Sequence, residues 1–164
     1  MNYYCEYAST LGKLLLAAGD EGLRGIYFDQ QRHFNGVGDW QLDPEHGCLP
    51  QAVRQVEEYF AGTRTAFDLP LDLIGTPFQR AVWHALLAIP YGATVSYAQH
   101  ANALGKPDAA RAVGTAIGRN PISLVVPCHR VVGSDGSLTG YAGGLERKRA
   151  LLAFETQRTG LHNR

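Results

Sequence analysis

Ile122-Ser123-Leu124-Val125-Val126-Pro127-Cys128-His129-Arg130-Val131 is the stretch on which the reading of this chain turns. An apolar, β-branched run stopped by proline predicts a buried strand that delivers its last residues to a surface or cleft. What it delivers is a thiol next to an imidazole. The thiolate is the reactive form of cysteine, and a neighbouring base or positive charge favours it at neutral pH. A strand-end cysteine can equally be a small buried side chain without chemistry, so the flanking segments must decide.

Downstream, Gly133-Ser134-Asp135-Gly136 reads as a turn and residues 138–145 as a glycine-rich loop with Tyr141, Gly143 and Gly144. Such a loop lets a flat group approach backbone closely. A last helix over residues 145–157 is expected to bury Leu145, Leu151 and Leu152 and to carry Lys148 and Glu155 on nearly one face, seven residues apart. Upstream, Asn120-Pro121 turns the chain into the run, and Asn120 can cap or bridge that turn. Before it come three helices. Thr76-Pro77-Phe78-Gln79 is a capping box opening a helix whose Phe78, Val82, Leu86 and Ile89 form an apolar face. Ser96-Tyr97-Ala98-Gln99 is a second capping box, and its helix ends at Leu104-Gly105. Pro107-Asp108 begins a third helix that stops at Gly118.

Two short helices joined by a tight glycine-containing turn are a helix-turn-helix signature. The second of them carries one long cation, Arg111, among Ala, Gly and Thr. A major-groove reader carries more polar side chains. A smooth helix with a single cation suits a narrow groove or an inserted wedge, and composition alone leaves a helix–helix contact equally open.

The first 74 residues are of another kind. Strands are expected at 3–9, 13–18 and 23–28, the last two joined by the turn Gly19-Asp20-Glu21-Gly22. Residues 30–47 read as loop, with His33 and His46 exposed. Leu49–Ala61 reads as an amphipathic helix with Val53, Val56 and Phe60 on one face and Gly62 closing it. Residues 63–74 read as a connector with one strand-like piece. No chemistry is evident here, and the region is expected to be a scaffold. The predicted fold class is therefore α/β (α+β). A lobe of small antiparallel sheet plus helix occupies 1–74; a mainly helical lobe with a helix-turn-helix and a short cysteine-bearing strand occupies 75–164.

The 164 residues have a net charge of zero, unevenly spread. Residues 1–74 hold five Lys/Arg against eleven Asp/Glu, a net of −6; residues 75–164 hold ten against four, a net of +6. The basic half is the kind that meets phosphate. No apolar run approaches the ~20 residues of a membrane helix, and no signal peptide is evident. Three widely spaced cysteines, Cys5, Cys48 and Cys128, point to a reducing, cytoplasmic setting. No metal-ligand spacing is present, so neither metal nor cofactor is expected.

Together these motifs resemble the O6-alkylguanine-DNA alkyltransferase family in its short bacterial form. The resemblance runs from Gly75 to Glu155 through Ile89-Pro90-Tyr91-Gly92, Ala110-Arg111-Ala112-Val113-Gly114, Asn120-Pro121, Pro127-Cys128-His129-Arg130-Val131 and Gly140-Tyr141-Ala142-Gly143-Gly144. It implies direct, single-turnover repair of double-stranded DNA by a monomer. The nucleotide is flipped out, and the O6-alkyl group, or that of O4-alkylthymine, passes to Cys128. His129 would be the base, working through a water, with Glu155 orienting it and Asn120 holding the turn. Tyr97 would donate to the departing guanine, with Lys148 a second polar contributor. Arg111, with Ala110, Thr115, Ser96 and Tyr97, would contact DNA. Val131, Tyr141, Ala142, Gly143 and Ile117 would line the substrate pocket. Many relatives have serine at Ala142, which points to an altered substrate range. Zinc-binding relatives place ligands where this chain has Gly19 and Arg24, so no zinc is expected. Two rival readings are a non-enzymatic lesion-binding sensor and a Cys-His hydrolase.

Overall fold

In the computed structural model, residues 1–162 are described, with side chains to residue 158. The chain divides into two units, Met1–Ile74 with Pro121–Ser123, and Gly75–Asn120 with Leu124–Arg164.

The first unit is built on a four-stranded sheet of order β3-β2-β1-β4. β1 (Tyr3–Ser9), β2 (Gly12–Ala18) and β3 (Leu23–Phe28) form an antiparallel meander. β4 (Gln41–Leu42) pairs parallel to β1 from within the expected loop. Leu14, Leu16, Ile26 and Phe28 are buried, as alternation on a half-covered sheet requires. The outer side of β3 is occupied by short bridges to Leu71 and Ile122. There Leu23 N–H donates to Pro70 O at 2.8 Å and Ile26 N–H to Pro121 O at 2.9 Å.

α1 (Leu49–Ala61) packs on β1 and β2 and ends at Gly62, whose φ of 80° is the left-handed cap that glycine adopts without strain. Its buried face is Leu49, Ala52, Gln55, Val56 and Tyr59, rotated from the expected Val53, Val56 and Phe60. The connector explains the rotation. Gln55 exchanges two 2.9 Å hydrogen bonds with the Asp68 backbone, and Tyr59 stacks on Phe67. His46 is half-buried rather than exposed, stacked on Tyr3 and 3.0 Å from Asp20.

The second unit is helical. α2 (Pro77–Leu86), α3 (Tyr97–Ala103) and α4 (Ala110–Gly118) follow in order, α4 being preceded by a 3-10 turn at Pro107–Ala109. Both capping boxes form. Thr76 Oγ1 accepts from Gln79 N–H at 3.1 Å and Ser96 Oγ from Gln99 N–H at 3.0 Å, each returned by the glutamine side chain. α2 stops three residues short of Ile89, its end tightened into i→i+3 bonds at Leu87, Ala88 and Ile89. Trp83 Nε1 donates to Ala116 O at 2.8 Å, tying α2 to α4, and His100 Nε2 lies 3.1 Å from Val82 O, tying α3 to α2.

The run at 122–126 is not a strand. Only Ile122 makes a sheet bridge, and Leu124 sits at φ 72°. Ile122, Leu124 and Val126 are almost wholly buried, so the run is apolar because it crosses the interior as turns. Apolarity alone does not separate a buried turn from a buried strand. The strand that does form is β6 (Val131–Val132), beyond the cysteine, paired parallel to β5 (Val95–Ser96). α5 (Leu145–His162) follows. Leu145 is exposed and Leu152 half-buried; the inward face is Lys148, Leu151 and Glu155.

Candidate active site

Cys128 is not on a strand. Pro127, at φ −81° and ψ 63°, makes an inverse γ-turn closed by Cys128 N–H to Val126 O at 2.7 Å, and Cys128–Arg130 then forms one turn of 3-10 helix. A buried turn must find partners for its carbonyls. Asn120 supplies one, donating from Nδ2 to Val126 O at 2.8 Å, and its side chain also hydrogen-bonds the Cys128 sulfur. At three residues per turn, adjacent side chains diverge by about 120°. Cys128 and His129 therefore point apart, although not for the strand-pleat reason expected.

His129 is fully buried. Its Nε2 lies 2.8 Å from Glu155 Oε2, while its Nδ1 has no protein partner among the described residues. The Glu155 carboxylate also accepts from Arg130, through Nε to Oε1 at 2.8 Å and Nη2 to Oε2 at 3.0 Å. These partners outweigh burial and hold Glu155 far below the ordinary 4.5. A carboxylate so held only accepts, which assigns the proton to His129 Nε2 and the lone pair to Nδ1. Burial drives the His129 pKa down, against the pull of Glu155.

Burial also pushes the Cys128 thiol up to about 11, with Asn120 and Lys148 acting in the opposite direction. The resting group is a neutral thiol, so the imidazole does not by its presence yield a standing thiolate. Lys148, likewise buried, is lowered to about 8. Its Nζ donates to Thr139 O at 2.8 Å and lies 5.8 Å from the Tyr97 ring centroid. Tyr97 OH donates to the same carbonyl at 3.0 Å.

The structure therefore gathers Asn120, Cys128, His129 and Glu155 into one connected cluster, with Tyr97 and Lys148 joined at Thr139. Val131, Tyr141 and Gly143 are buried on the segments around it and Ala142 is half-buried. Ile117 is buried on α4, whereas Arg111 and Thr115 are on its exposed face and Ala110 is half-exposed. Ser96 is engaged as the α3 cap. Between α2 and α4 lies an open cavity of about 690 Å³, lined by Phe78, Gln79, Arg111, Ala112, Thr115 and Arg119 and not by Cys128.

Arg130 is the residue that the sequence reading left without a role. A charged side chain inside an apolar motif was its one signal, because such a group is buried only when paired. Among the described residues, no group of three or more His, Cys, Asp or Glu is placed to hold a metal ion. Nor is any described helix long and apolar enough to cross a membrane.

Two family models match the chain. The 6-O-methylguanine DNA methyltransferase ribonuclease-like domain matches residues 2–73 and the corresponding DNA binding domain residues 77–157. The methylated-DNA--protein-cysteine methyltransferase of Mycobacterium tuberculosis (strain ATCC 25618 / H37Rv) is 49% identical over 158 residues, 96% of this chain and 94% of that one. The constitutive enzyme of that name from Bacillus subtilis (strain 168) is 44% identical over 158 residues, 93% of each chain. A crystal structure of Mycobacterium tuberculosis OGT in complex with DNA superposes with a TM-score of 0.89 at 49% identity, covering 95% of this chain and 94% of that one. The O6-methylguanine-DNA methyltransferase of Pyrococcus kodakaraensis strain KOD1 is more distant, with a TM-score of 0.55 at 25% identity, covering 94% and 99%.

Proposed function

Because the chain belongs to the 6-O-methylguanine DNA methyltransferase family, we propose that it repairs DNA by moving the alkyl group of O6-alkylguanine, or of O4-alkylthymine, irreversibly onto Cys128. The observation that carries this reading is the buried Cys128 thiol, held by Asn120 beside a His129–Glu155 pair whose remaining imidazole lone pair is free to take a proton.

The alkylated oxygen sits within a stacked duplex, so the nucleotide must leave the stack, at an expense of a few kcal/mol that a mispaired lesion lowers. The exposed face of α4 would enter the minor groove with Arg111 in the space left by the base, aided by the +6 charge of residues 75–164. Cys128 Sγ then attacks the alkyl carbon. The S–C bond forms as the C–O6 bond breaks, and the thiol proton passes through one water to His129 Nδ1. Glu155 stabilises the imidazolium, as the acid of a triad does. Displaced guanine gains negative charge, which Tyr97 OH would meet as a donor. The hydroxyl can leave Thr139 O because Lys148 Nζ still serves that carbonyl. Val131, Tyr141, Ala142 and Gly143, with Ile117 behind them, would wall the alkyl pocket. All groups named lie on one chain, so a monomer suffices.

A thioether offers water no good leaving group, so each chain acts once. Mixing the protein with duplex DNA containing O6-methylguanine should add one methyl to Cys128 by intact-mass and peptide mapping, with a one-to-one endpoint. Turnover beyond one, transfer by Cys128→Ser at the unaltered rate, or binding with no mass change would each overturn the reading, the last in favour of a lesion sensor.

A further inference from the structure

We propose that Arg130 is a positioning residue for the transfer: its two-pronged ion pair with Glu155 keeps His129 neutral and so preserves Nδ1 as a base beside Cys128. The proposal rests on the reading of Cys128 as acceptor and His129 as its base.

The geometry of the pair is specific. The Arg130 guanidinium is buried, donates to both Glu155 oxygens, and spends Nη1 on Ile89 O at 2.7 Å. Its carbon lies 5.7 Å from the Tyr91 ring centroid. Carboxylate and guanidinium cancel, leaving His129 as the neutral third member. Without Arg130, Glu155 would be a buried anion stripped of its paired guanidinium, with the His129 imidazole 2.8 Å away. The least expensive way to neutralise it is to protonate His129. Nδ1 would then carry a proton of its own and accept none from the thiol.

The other charge acting on His129 works in the same direction. Lys148 on α5 disfavours a second positive charge, as Arg130 does, and full burial disfavours any. Tyr91 and the Gly92 N–H, which lies 3.4 Å from Glu155 Oε1, come from the segment before β5. Tyr97 comes from α3, and Cys128 is a neutral thiol. Arg158, farther along α5, stacks on Phe154. Among these, only Glu155 draws a proton onto His129, and Arg130 is the cation paired with it at 2.8 Å.

The test is a histidine nitrogen NMR titration of protein never exposed to DNA, with His129 assigned by its loss in His129→Gln. In the unaltered protein, His129 should show the Nε2–H tautomer with an unprotonated Nδ1 at neutral pH and a midpoint below the ordinary 6.5. In Arg130→Met the midpoint should rise by about 1–3 pH units. At any pH below the variant's midpoint the single-turnover rate should then fall about tenfold for each unit of that gap and recover as pH is raised. Arg130→Lys, which keeps the charge, should restore most of the midpoint. A His129 already protonated at neutral pH in the unaltered protein overturns the proposal, even if no variant folds. So does a folded Arg130→Met with an unmoved midpoint and a rate lowered equally at every pH. If the unaltered protein does not methylate Cys128, the proposed function fails independently of this titration.

Discussion

Replacing Lys148 with methionine offers a quantitative check on the electrostatics of the site. Lys148 is fully buried, and burial lowers its ammonium from 10.5 to about 8. The unfolded chain therefore binds this proton more tightly than the folded one. Below about pH 8 both states are charged and the folded protein bears the whole penalty; as pH rises from 8 to 10.5 the folded state sheds the proton first and stability climbs. A gap of about 2.5 units corresponds to about 3 kcal/mol, of which about 2 kcal/mol is released between roughly pH 7 and 9.5. Methionine keeps the length without the charge. The lost bond to Thr139 O is a pH-independent term, softened because Tyr97 OH still donates there. Cys5 and Cys128, each raised to about 11, erode stability above pH 9 in both proteins and largely cancel in the difference. Urea unfolding of Lys148→Met and of the unaltered protein across this range should show the stability difference moving by about 2 kcal/mol in favour of the unaltered protein as pH rises. A flat difference, or one moving the other way, would refute the assignment of Lys148 as a buried cation held at a penalty.

Other perturbations test neighbouring claims. Asn120→Ala leaves the buried Val126 carbonyl without that donor and should lower the stability measured in urea by about 1–3 kcal/mol. Glu155→Gln strips a buried guanidinium of its counter-charge, a loss of about 3–5 kcal/mol at neutral pH. Because the Glu155 carboxyl is depressed below 4.5, its stabilisation is present above that value and lost on acidification, so the variant's acid limb should be flatter. Thr76→Ala removes the oxygen of the α2 capping box and should cost about 1 kcal/mol by the same assay. Methylated Cys128 overpacks a site that leaves the sulfur-bearing residue 6% exposed; the alkylated protein should lose about 1–3 kcal/mol, seen as a lower melting temperature.

Elements whose signals are local were legible in the sequence. Thr76 and Ser96 mark their helices because a capping box is a contact between residues three apart. Gly62 ends α1 because the left-handed cap is a property of one residue. The first three strands follow from alternation punctuated by turns. What escaped depends on distant partners. Val53 and Phe60 lost the inner face of α1 because Gln55 and Tyr59 are claimed by the connector. Leu145 lost its place because Lys148 and Glu155 take the inward side of α5, a preference that hydrophobicity does not encode. The run before Cys128 is as apolar as a central strand, yet its backbone is satisfied by Ile26 and by the Asn120 amide. Cys128, His129 and Glu155 were legible as candidates, while the partner that fixes their protonation, Arg130, emerged only from the distances.

The margins of the sheet have a consequence for the protein's fate outside its task. A row of bare amides along a strand is a template on which a foreign chain can add itself. Here β3 has its outer amides occupied at Leu23 and Ile26 by the Pro70 and Pro121 carbonyls. On the opposite flank β4 is only two residues long. Strand addition between copies is thus blocked at Leu23 and Ile26 of β3, and the flank of β1 beyond Tyr4, which β4 does not reach, is where it would have to begin.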